Sequence, residues 1–490
     1  MKQESNYLYR YRSLDKIFEY KELENLEIYF SKPEQLNDHM ESYMNIIWQG
    51  DEIAFQSLFK HYLYVLTSLF YDAKIRKPKE KINIEYLPVF ISNIIFDAPE
   101  IQTTFKAIYY EFFSSEEVAN IPIQLAKSKK KYTTDEILWI LKTLHKYAFF
   151  VIDSQIKKYD LKIDVLEDKE YKKTYESIKY SNMSSFAIKE LLKEKYDPEI
   201  ILCHISRLDI ETKRIQEFLN QKHSDKDISN LNILLFEFPE LYIKHIKKLL
   251  FNNFCVASFS ETYKNEPMWA HYANNENGIC LKFKIQDIDN EKYLDLYSLN
   301  DSEQNSSKTY NKKFYKRKFF KVKYSNNYTE IDFFTTLGCC TQKIINEFWL
   351  ANYDQTKFSE CSRAYFPREV WLENYLRQSE EYICTKSTNW KYEQEYRIIQ
   401  NKALYPAYEN IENRKTNYHF ENLDAIIFGR KVSSDNKKAI YSIIQKHCNK
   451  TNRNDFKFYD IYYSTITKQL ELKPCQDIIC DNKIVHAQIL

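Results

Sequence analysis

The spacing of hydrophobic and polar positions changes twice along this chain. Between about residues 52 and 250 apolar residues recur at helical spacing, whereas short alternating stretches on both sides of that block are typical of strands. The clearest strand patterns lie at 7–11, 26–30, 254–260 and 278–285. The pattern predicts one α+β domain assembled from both ends of the chain, with a large all-α insertion. The predicted bounds are 1–51 and 251–490 for its two parts, and 52–250 for the insertion.

Local signals place further elements within this scheme. Thr133 and Glu136 have the spacing of a capping box, which predicts that a helix begins there. Pro33 and the Asn37-Asp38 pair predict a turn after the second strand, although Asp38 or Glu41 could instead line a cleft beside Arg10. The remaining predictions are helices at 13–24, 187–196, 242–250, 267–272 and 368–376, an edge strand at 316–324, strands at 392–400 and 424–428, and a polar loop at 287–307.

Composition limits how a nucleotide could be bound. The chain of 490 residues has only 4 glycines, far fewer than the usual share of about 7%. Neither a GxGxxG motif nor a P-loop is present. Any nucleotide must therefore be held by side chains and ordinary backbone amides.

Charge and cysteine spacing exclude other classes of function. A formal net charge of +2 gives no strong overall field for nucleic acid, which disfavours an RNA-binding protein. The ten cysteines contain no CxxC pair, so no metal site is expected. The polar N-terminus and the absence of a long uncharged run predict a cytoplasmic protein with no membrane contact.

Glu393 and Glu395 are the most informative acidic pair in the sequence. If both residues lie on one strand, its period of two places their carboxylates on the same face. Two such acids can polarise a bound hydroxyl group, as an ADP-ribosyl-transferring site requires at the ribose of NAD. The alternative is a solvated strand face on which Glu393 pairs with a lysine or arginine.

The order of several short motifs resembles a widespread bacterial family described as a domain of unknown function (number 2971). The segments that carry this resemblance are 8–13, 28–31, 36–41, 258–261, 268–272, 278–283 and 390–398. His39 departs from the pattern, because the family usually has proline after Asn-Asp. The resemblance covers the two ends of the chain and leaves the helical block unexplained. That family in turn looks like a distant member of the ADP-ribosyltransferase superfamily, which implies a split β-sheet core.

The second resemblance assigns expected roles to individual residues. Glu395 is the expected catalytic carboxylate, and Glu393 would orient or deprotonate the acceptor. Arg10 would bind the diphosphate of NAD, although Arg12 faces the same side and the sequence does not separate the two. The remaining expected contacts to NAD are Ser258 or Ser260 at the nicotinamide ribose and Tyr272 stacked on nicotinamide, while Trp269 and His271 are expected to pack the helix.

The resemblance implies an NAD-dependent ADP-ribosyltransferase (a glycosyltransferase) that uses NAD as a substrate and no metal. The acceptor would be a macromolecule, either protein or nucleic acid, and a regulatory or antitoxin partner is also expected. Bacterial enzymes of this kind are often toxins or phage-defence (antiviral defense) effectors, and this role is an analogy at the level of the fold. The alternatives are an NAD glycohydrolase and a non-catalytic nucleotide-sensing or interaction module.

Overall fold

The computed structural model describes residues 6–38, 40–41, 43–75, 81–90, 98–158, 198–222, 229–299, 312–400 and 410–476. The protein is a mixed α+β protein that folds into two compact units. Unit 1 comprises Met1–Tyr43, Asn252–Tyr328 and Glu380–Leu490, and unit 2 comprises Met44–Phe251 and Thr329–Ser379. The segment Thr329–Ser379 therefore lies in the same unit as the helical block, whereas the sequence analysis assigned it to the strand-rich part.

The main sheet lies in unit 1, which also contains a separate two-stranded sheet. Its strands are β1 (Tyr7–Ser13), β2 (Glu27–Tyr29), β3 (Cys255–Ser260), β4 (Gly278–Lys284), β5 (Gln286–Ile288), β6 (Glu291–Leu299), β7 (Lys312–Lys321), β8 (Lys323–Tyr324), β9 (Thr385–Lys386), β10 (Glu395–Gln400), β11 (Lys415–Tyr418), β12 (Leu423–Phe428), β13 (Lys457–Ser464) and β14 (Gln469–Pro474). Its helices are α1 (Leu14–Glu19), α2 (Glu266–Tyr272) and α3 (Ser434–Thr451).

Within the described residues, twelve strands form one sheet in the order β14-β13-β12-β4-β1-β3-β10-β7-β6-β11-β2, with β5 paired to β6. Neighbouring strands are antiparallel except β12 and β13, which are parallel. β1 and β3 share one registered residue pair, Tyr9 with Ser260, whereas β1 and β4 pair over seven residues. The sheet is therefore nearly divided between β1 and β3.

Alternation along the central strands separates the two faces of this sheet. Leu8, Phe259 and Phe283 contribute to a buried apolar cluster that also contains Ile440 of α3. Tyr9 and Tyr11 of β1 lie on the opposite face, in a second buried cluster that also contains residues of α2. Successive side chains of a strand point to opposite faces of the sheet, so a strand whose side chains are apolar on both faces must be covered on both. The two clusters provide that cover.

Unit 2 is mainly helical. Its longer helices are Glu52–Ile75, Pro99–Phe112, Glu116–Lys127, Thr134–Lys157, Pro198–Lys222, Phe238–Ile246 and Arg368–Ile383, whose end past Ser379 belongs to unit 1. The predicted capping box is confirmed, because Thr133 and Glu136 exchange side-chain and backbone hydrogen bonds at the start of their helix. A small sheet places Asn45–Trp48 between Glu330–Asp332 and Tyr132–Thr133. Within the described chain, no helix is long and apolar enough to cross a membrane.

Several predicted elements differ from the structure. The polar loop at 287–307 is wrong where the chain is described, because β6 covers Glu291–Leu299. The edge strand is wrong too, since β7 pairs with β6 on one side and β10 on the other. The helix at 13–24 ends at Glu19, ahead of Lys21 with φ 52°. The helix predicted at 187–196 lies outside the described residues.

Candidate active site

A cavity of about 460 Å³ in unit 1 contains every residue that the sequence analysis selected. This volume lies within the range of about 300–1,000 Å³ that is usual for small-molecule sites. The selected residues that line it are Arg10, Ser258, Ser260, Tyr272, Glu393 and Glu395. Side chains from segments far apart in the sequence therefore meet at one cavity.

The cavity lies where β1 and β3 separate. Beyond the pair of Tyr9 with Ser260, the next contact on this edge of β3 is a bridge between Val256 and Ser31. Among the described residues, no strand lies beside the edge of β3 between these two contacts, and the carbonyl oxygen of Ser258 faces the gap. Unpaired carbonyl groups at such a gap require donors from side chains or ligands.

Arg10 supplies that donor. Its Nη1 atom donates to the Ser258 carbonyl oxygen at 3.2 Å, and its Nη2 atom donates to the Tyr29 carbonyl oxygen at 3.0 Å. The guanidinium also lies 5.4 Å from the centre of the Phe259 ring. Arg10 is 7% exposed, and among the described residues no carboxylate lies within ion-pair distance of it. The site thus holds a buried cation without an acidic partner.

Arg12 is distinguished from Arg10 by its partner. Its Nε atom donates to the Glu22 carboxylate at 2.8 Å, so its charge is already neutralised inside the protein. Burial, followed by the proximity of Arg12, lowers the pKa of Arg10 to about 9. Glu22 opposes this shift only in part. A bound anion would stabilise the Arg10 cation further, because the anion replaces its lost hydration.

Glu395 begins β10 and also lines the cavity. Its two carboxylate oxygens accept from Nε and Nη2 of Arg397 at 2.8 and 2.9 Å, a bidentate ion pair between neighbours on one strand face. The Ser258 side chain also hydrogen-bonds to Glu395. Burial alone would raise the pKa of Glu395, but Arg397 and Lys386 lower it well below its usual range. Glu395 is therefore a carboxylate that stays ionised although it is only 4% exposed.

Glu393 does not lie on the strand, which corrects the expectation that the two acids share a strand face. It ends a short 3-10 helix, Thr388–Glu393, and Gln394 follows with φ 47°. A left-handed residue interrupts the extended backbone, so the period of two does not extend across it. The Glu393 side chain nevertheless lines the cavity and is 2% exposed.

Glu393 has an environment that differs from that of Glu395. One carboxylate oxygen accepts from the Tyr272 hydroxyl and the other from Lys386 Nζ at 2.7 Å. Burial raises the pKa of Glu393 above its usual value, Lys386 opposes this, and Glu395 adds to it. Two adjacent carboxyl groups whose pKa values are displaced in opposite directions can divide acid–base work between them.

Sequence analysis missed Lys386 and preferred a turn for Glu41. Lys386 is 3% exposed, and its Nζ atom lies 3.4, 2.7 and 3.5 Å from the carboxylates of Glu41, Glu393 and Glu395. Glu41 also pairs with Nη2 of Arg397. Lys386 follows a helix in an unremarkable sequence, and Glu41 and Arg397 are 356 residues apart. No local spacing could have brought them together.

The two serines and Tyr272 hold the acids in place. The Ser260 hydroxyl donates to the backbone carbonyl oxygen of Glu393 at 2.7 Å, and the Ser258 side chain contacts Glu395. Tyr272 is fixed by its bond to Glu393, so its hydroxyl is committed to that carboxylate while its ring lines the cavity. Trp269 packs in the core against Tyr11, as expected for a helix-packing residue.

The lining of the cavity carries charges of both signs. It contains Arg10 and an acidic cluster, which we define as Glu41, Glu393 and Glu395 with Lys386 and Arg397. Three carboxylates and two cations give this cluster a formal net charge of −1 when every member is ionised. In the described part of the chain, no group of three or more His, Cys, Asp or Glu side chains is arranged to hold a metal ion.

Comparison with known proteins gives one match. Residues 268–398 match a family model described as "Protein of unknown function (DUF2971)". The matched segment contains Tyr272, Lys386, Glu393, Glu395 and Arg397, and it supports the resemblance to that family for the second half of the site. No curated protein and no solved structure matches the chain.

Proposed function

We propose that unit 1 binds NAD in this cavity, cleaves the bond between nicotinamide and ribose, and transfers ADP-ribose to a macromolecular acceptor. The observation that carries this proposal is that a buried guanidinium and a net negative cluster line one cavity. NAD has a negatively charged diphosphate near its middle and a positively charged nicotinamide ring at one end. Arg10 suits the diphosphate, and the cluster suits the nicotinamide ring and the ribose that bears it.

Arg10 is suited to the diphosphate for two reasons. Its planar guanidinium presents several N–H donors in a geometry that matches phosphate oxygens. It also lacks a carboxylate partner among the described residues, so binding of an anion does not have to displace an existing ion pair. Arg12 is less suited, because a phosphate would compete with Glu22 for it.

Glu395 is suited to the reacting ribose. Cleavage of the nicotinamide–ribose bond develops positive charge at the anomeric carbon, and a fixed carboxylate stabilises this charge best where water is excluded. Arg397 keeps Glu395 ionised and oriented, and it shares its own charge with Glu41. The cluster therefore retains negative charge for the transition state.

Turnover of NAD tests the proposal directly. The protein is incubated with NAD labelled in its adenine ring together with a cell lysate, and nicotinamide release and label on macromolecules are measured. Glu395→Gln is expected to lower the rate by about 10²–10³-fold. The amide retains an oxygen that can accept from Arg397, and thermal unfolding checks that the variant folds.

The matched control is Glu471→Gln, which breaks the ion pair with Lys264 away from the cavity lining. Its rate should equal that of the wild type. Release of nicotinamide with label only in free ADP-ribose would favour an NAD glycohydrolase. Binding without release would favour a nucleotide-sensing module, and full activity of Glu395→Gln would contradict the proposed role of Glu395.

A role as a toxin or phage-defence effector is a separate proposal, based on analogy at the level of the fold. Expression of the wild type and Glu395→Gln in growing bacterial cells tests it. Growth arrest by the wild type alone would support the role, and equal growth of both strains would count against it.

A further inference from the structure

Lys386 occupies a position in the acidic cluster that the proposed function does not use. It forms β9 with Thr385, and this short strand pairs with β8, so the backbone that carries it is fixed. The ammonium group lies 4.8 Å from the centre of the Trp390 ring. The ammonium group is almost completely buried, and its Nζ atom lies within 3.5 Å of the carboxylates of Glu41, Glu393 and Glu395.

The two cations of the cluster have different partners. Arg397 binds Glu395 through two hydrogen bonds and also pairs with Glu41. Within the described chain, Arg397 forms no ion pair with Glu393, and the cation in contact with Glu393 is Lys386, at 2.7 Å. Loss of Lys386 would therefore remove the counter-charge of Glu393 while Glu395 keeps Arg397.

We propose that Lys386 is a positioning residue that holds Glu393 as a carboxylate and so makes it the base of the transfer step. This inference rests on the proposed function. Each oxygen of Glu393 accepts one hydrogen bond, from Tyr272 and from Lys386, and retains a lone pair that can receive a proton.

The step balances without a further reagent. The bond between the anomeric carbon and the nicotinamide nitrogen breaks, and its electron pair leaves with nicotinamide, which becomes neutral. The acceptor oxygen or nitrogen forms the new bond to the anomeric carbon. Its proton passes to the carboxylate of Glu393 and later to water. Water in place of the acceptor gives hydrolysis by the same steps.

The charged and titratable groups that face Glu393 define what a pH profile should report. They are Lys386, Glu395 and the hydroxyl groups of Tyr272 and Tyr324, and Tyr392 lies next to Glu393 in the chain. Lys386 in turn faces Glu41, Glu395 and Arg397. Of the two cations, Lys386 is the one that hydrogen-bonds Glu393, and its removal also acts on Glu41 and Glu395.

The experiment compares the pH dependence of kcat/KM for nicotinamide release in the wild type, Lys386→Met and Lys386→Arg. The activity of the wild type is expected to fall at acidic pH, as Glu393 takes up a proton. In Lys386→Met this acidic limb should move up by about one to three pH units, because a charge at this distance acts with about that strength inside a protein. In Lys386→Arg, which keeps the charge, the limb should stay near its wild-type position.

Lys437→Met is the control, because Lys437 is also buried and paired to one carboxylate, Asp460, but does not line the cavity. Its acidic limb should not move. Should Lys386→Met fail to fold, Lys386→Gln repeats the test with a neutral donor. Tyr272→Phe, which removes the other donor to Glu393, should shift the same limb upward by less.

The outcomes separate the two proposals. Nicotinamide release by the wild type together with an unmoved acidic limb in the folded neutral variants would overturn the role of Lys386 and leave the proposed function standing. A loss of rate without a change in the limb would show that Lys386 is merely structural. No release by the wild type would overturn both.

Discussion

Replacement of Arg10 by methionine tests the cation at the gap between β1 and β3. The change removes a buried charge and keeps an apolar stem of similar length against Phe259. A charge-assisted hydrogen bond contributes about 1.5–3 kcal/mol. Loss of one or two such bonds to the diphosphate should weaken binding of NAD by about 3 kcal/mol, or about 100-fold in Kd.

The same change should have little effect on the fold. The carbonyl oxygens of Ser258 and Tyr29 lose their donors, which costs about 1 kcal/mol each. Removal of a buried cation that has no acidic partner in the described chain offsets this cost. The free energy of unfolding of Arg10→Met should therefore stay within about 1–2 kcal/mol of the wild-type value.

Titration calorimetry with a carbocyclic NAD analogue, whose nicotinamide bond is inert, measures binding without turnover. Arg430→Met is the control, because Arg430 is half-exposed and paired with Glu276 outside the cavity lining. Equal affinity of Arg10→Met and the wild type would refute the assignment.

Two further predictions concern the stability of unit 2. Burial lowers the pKa of Lys60 to about 7 from its ordinary 10.5. Between these values the unfolded chain binds more protons, so the free energy of unfolding should rise with pH, by up to about 5 kcal/mol. Lys60→Met should be more stable than the wild type near pH 7, and urea unfolding should show that it loses this slope. Burial also lowers the pKa values of His61 and His145 to about 3. Their contribution to the free energy of unfolding is present above pH 6.5 and is lost as pH falls toward 3, so the melting temperature should drop across that window. The drop should be less steep in His145→Gln. An unchanged slope in that variant would contradict the assignment.

Elements with a strong local pattern could be predicted from the sequence. Apolar runs located β3 and β4 to within a residue or two, because a strand that is buried on both sides must carry apolar residues on both. The capping box at Thr133 marked its helix correctly, since both of its hydrogen bonds are formed within one turn. β6 was missed because Asp295 and Lys292 interrupt its apolar side chains, Leu294 and Leu296.

The candidate site could be predicted only in part. Arg10, Ser258, Tyr272 and Glu395 were found by their order along the chain, and all four line the cavity. The position of Glu393 depends on the left-handed backbone of Gln394, which a strand pattern does not reveal. Lys386 reaches Glu393 across the short 3-10 helix between them, and Glu41 reaches the cluster from a distant segment. Neither contact leaves a periodic signal in the sequence.

The structure of the protein bound to the inert carbocyclic NAD analogue is the most direct test of the account. It should show the diphosphate oxygens hydrogen-bonded to the guanidinium of Arg10, and the ribose that bears nicotinamide beside the carboxylate of Glu395. An analogue bound at any other surface, or a cavity left empty at saturating concentration, would contradict the claim that this is an NAD site.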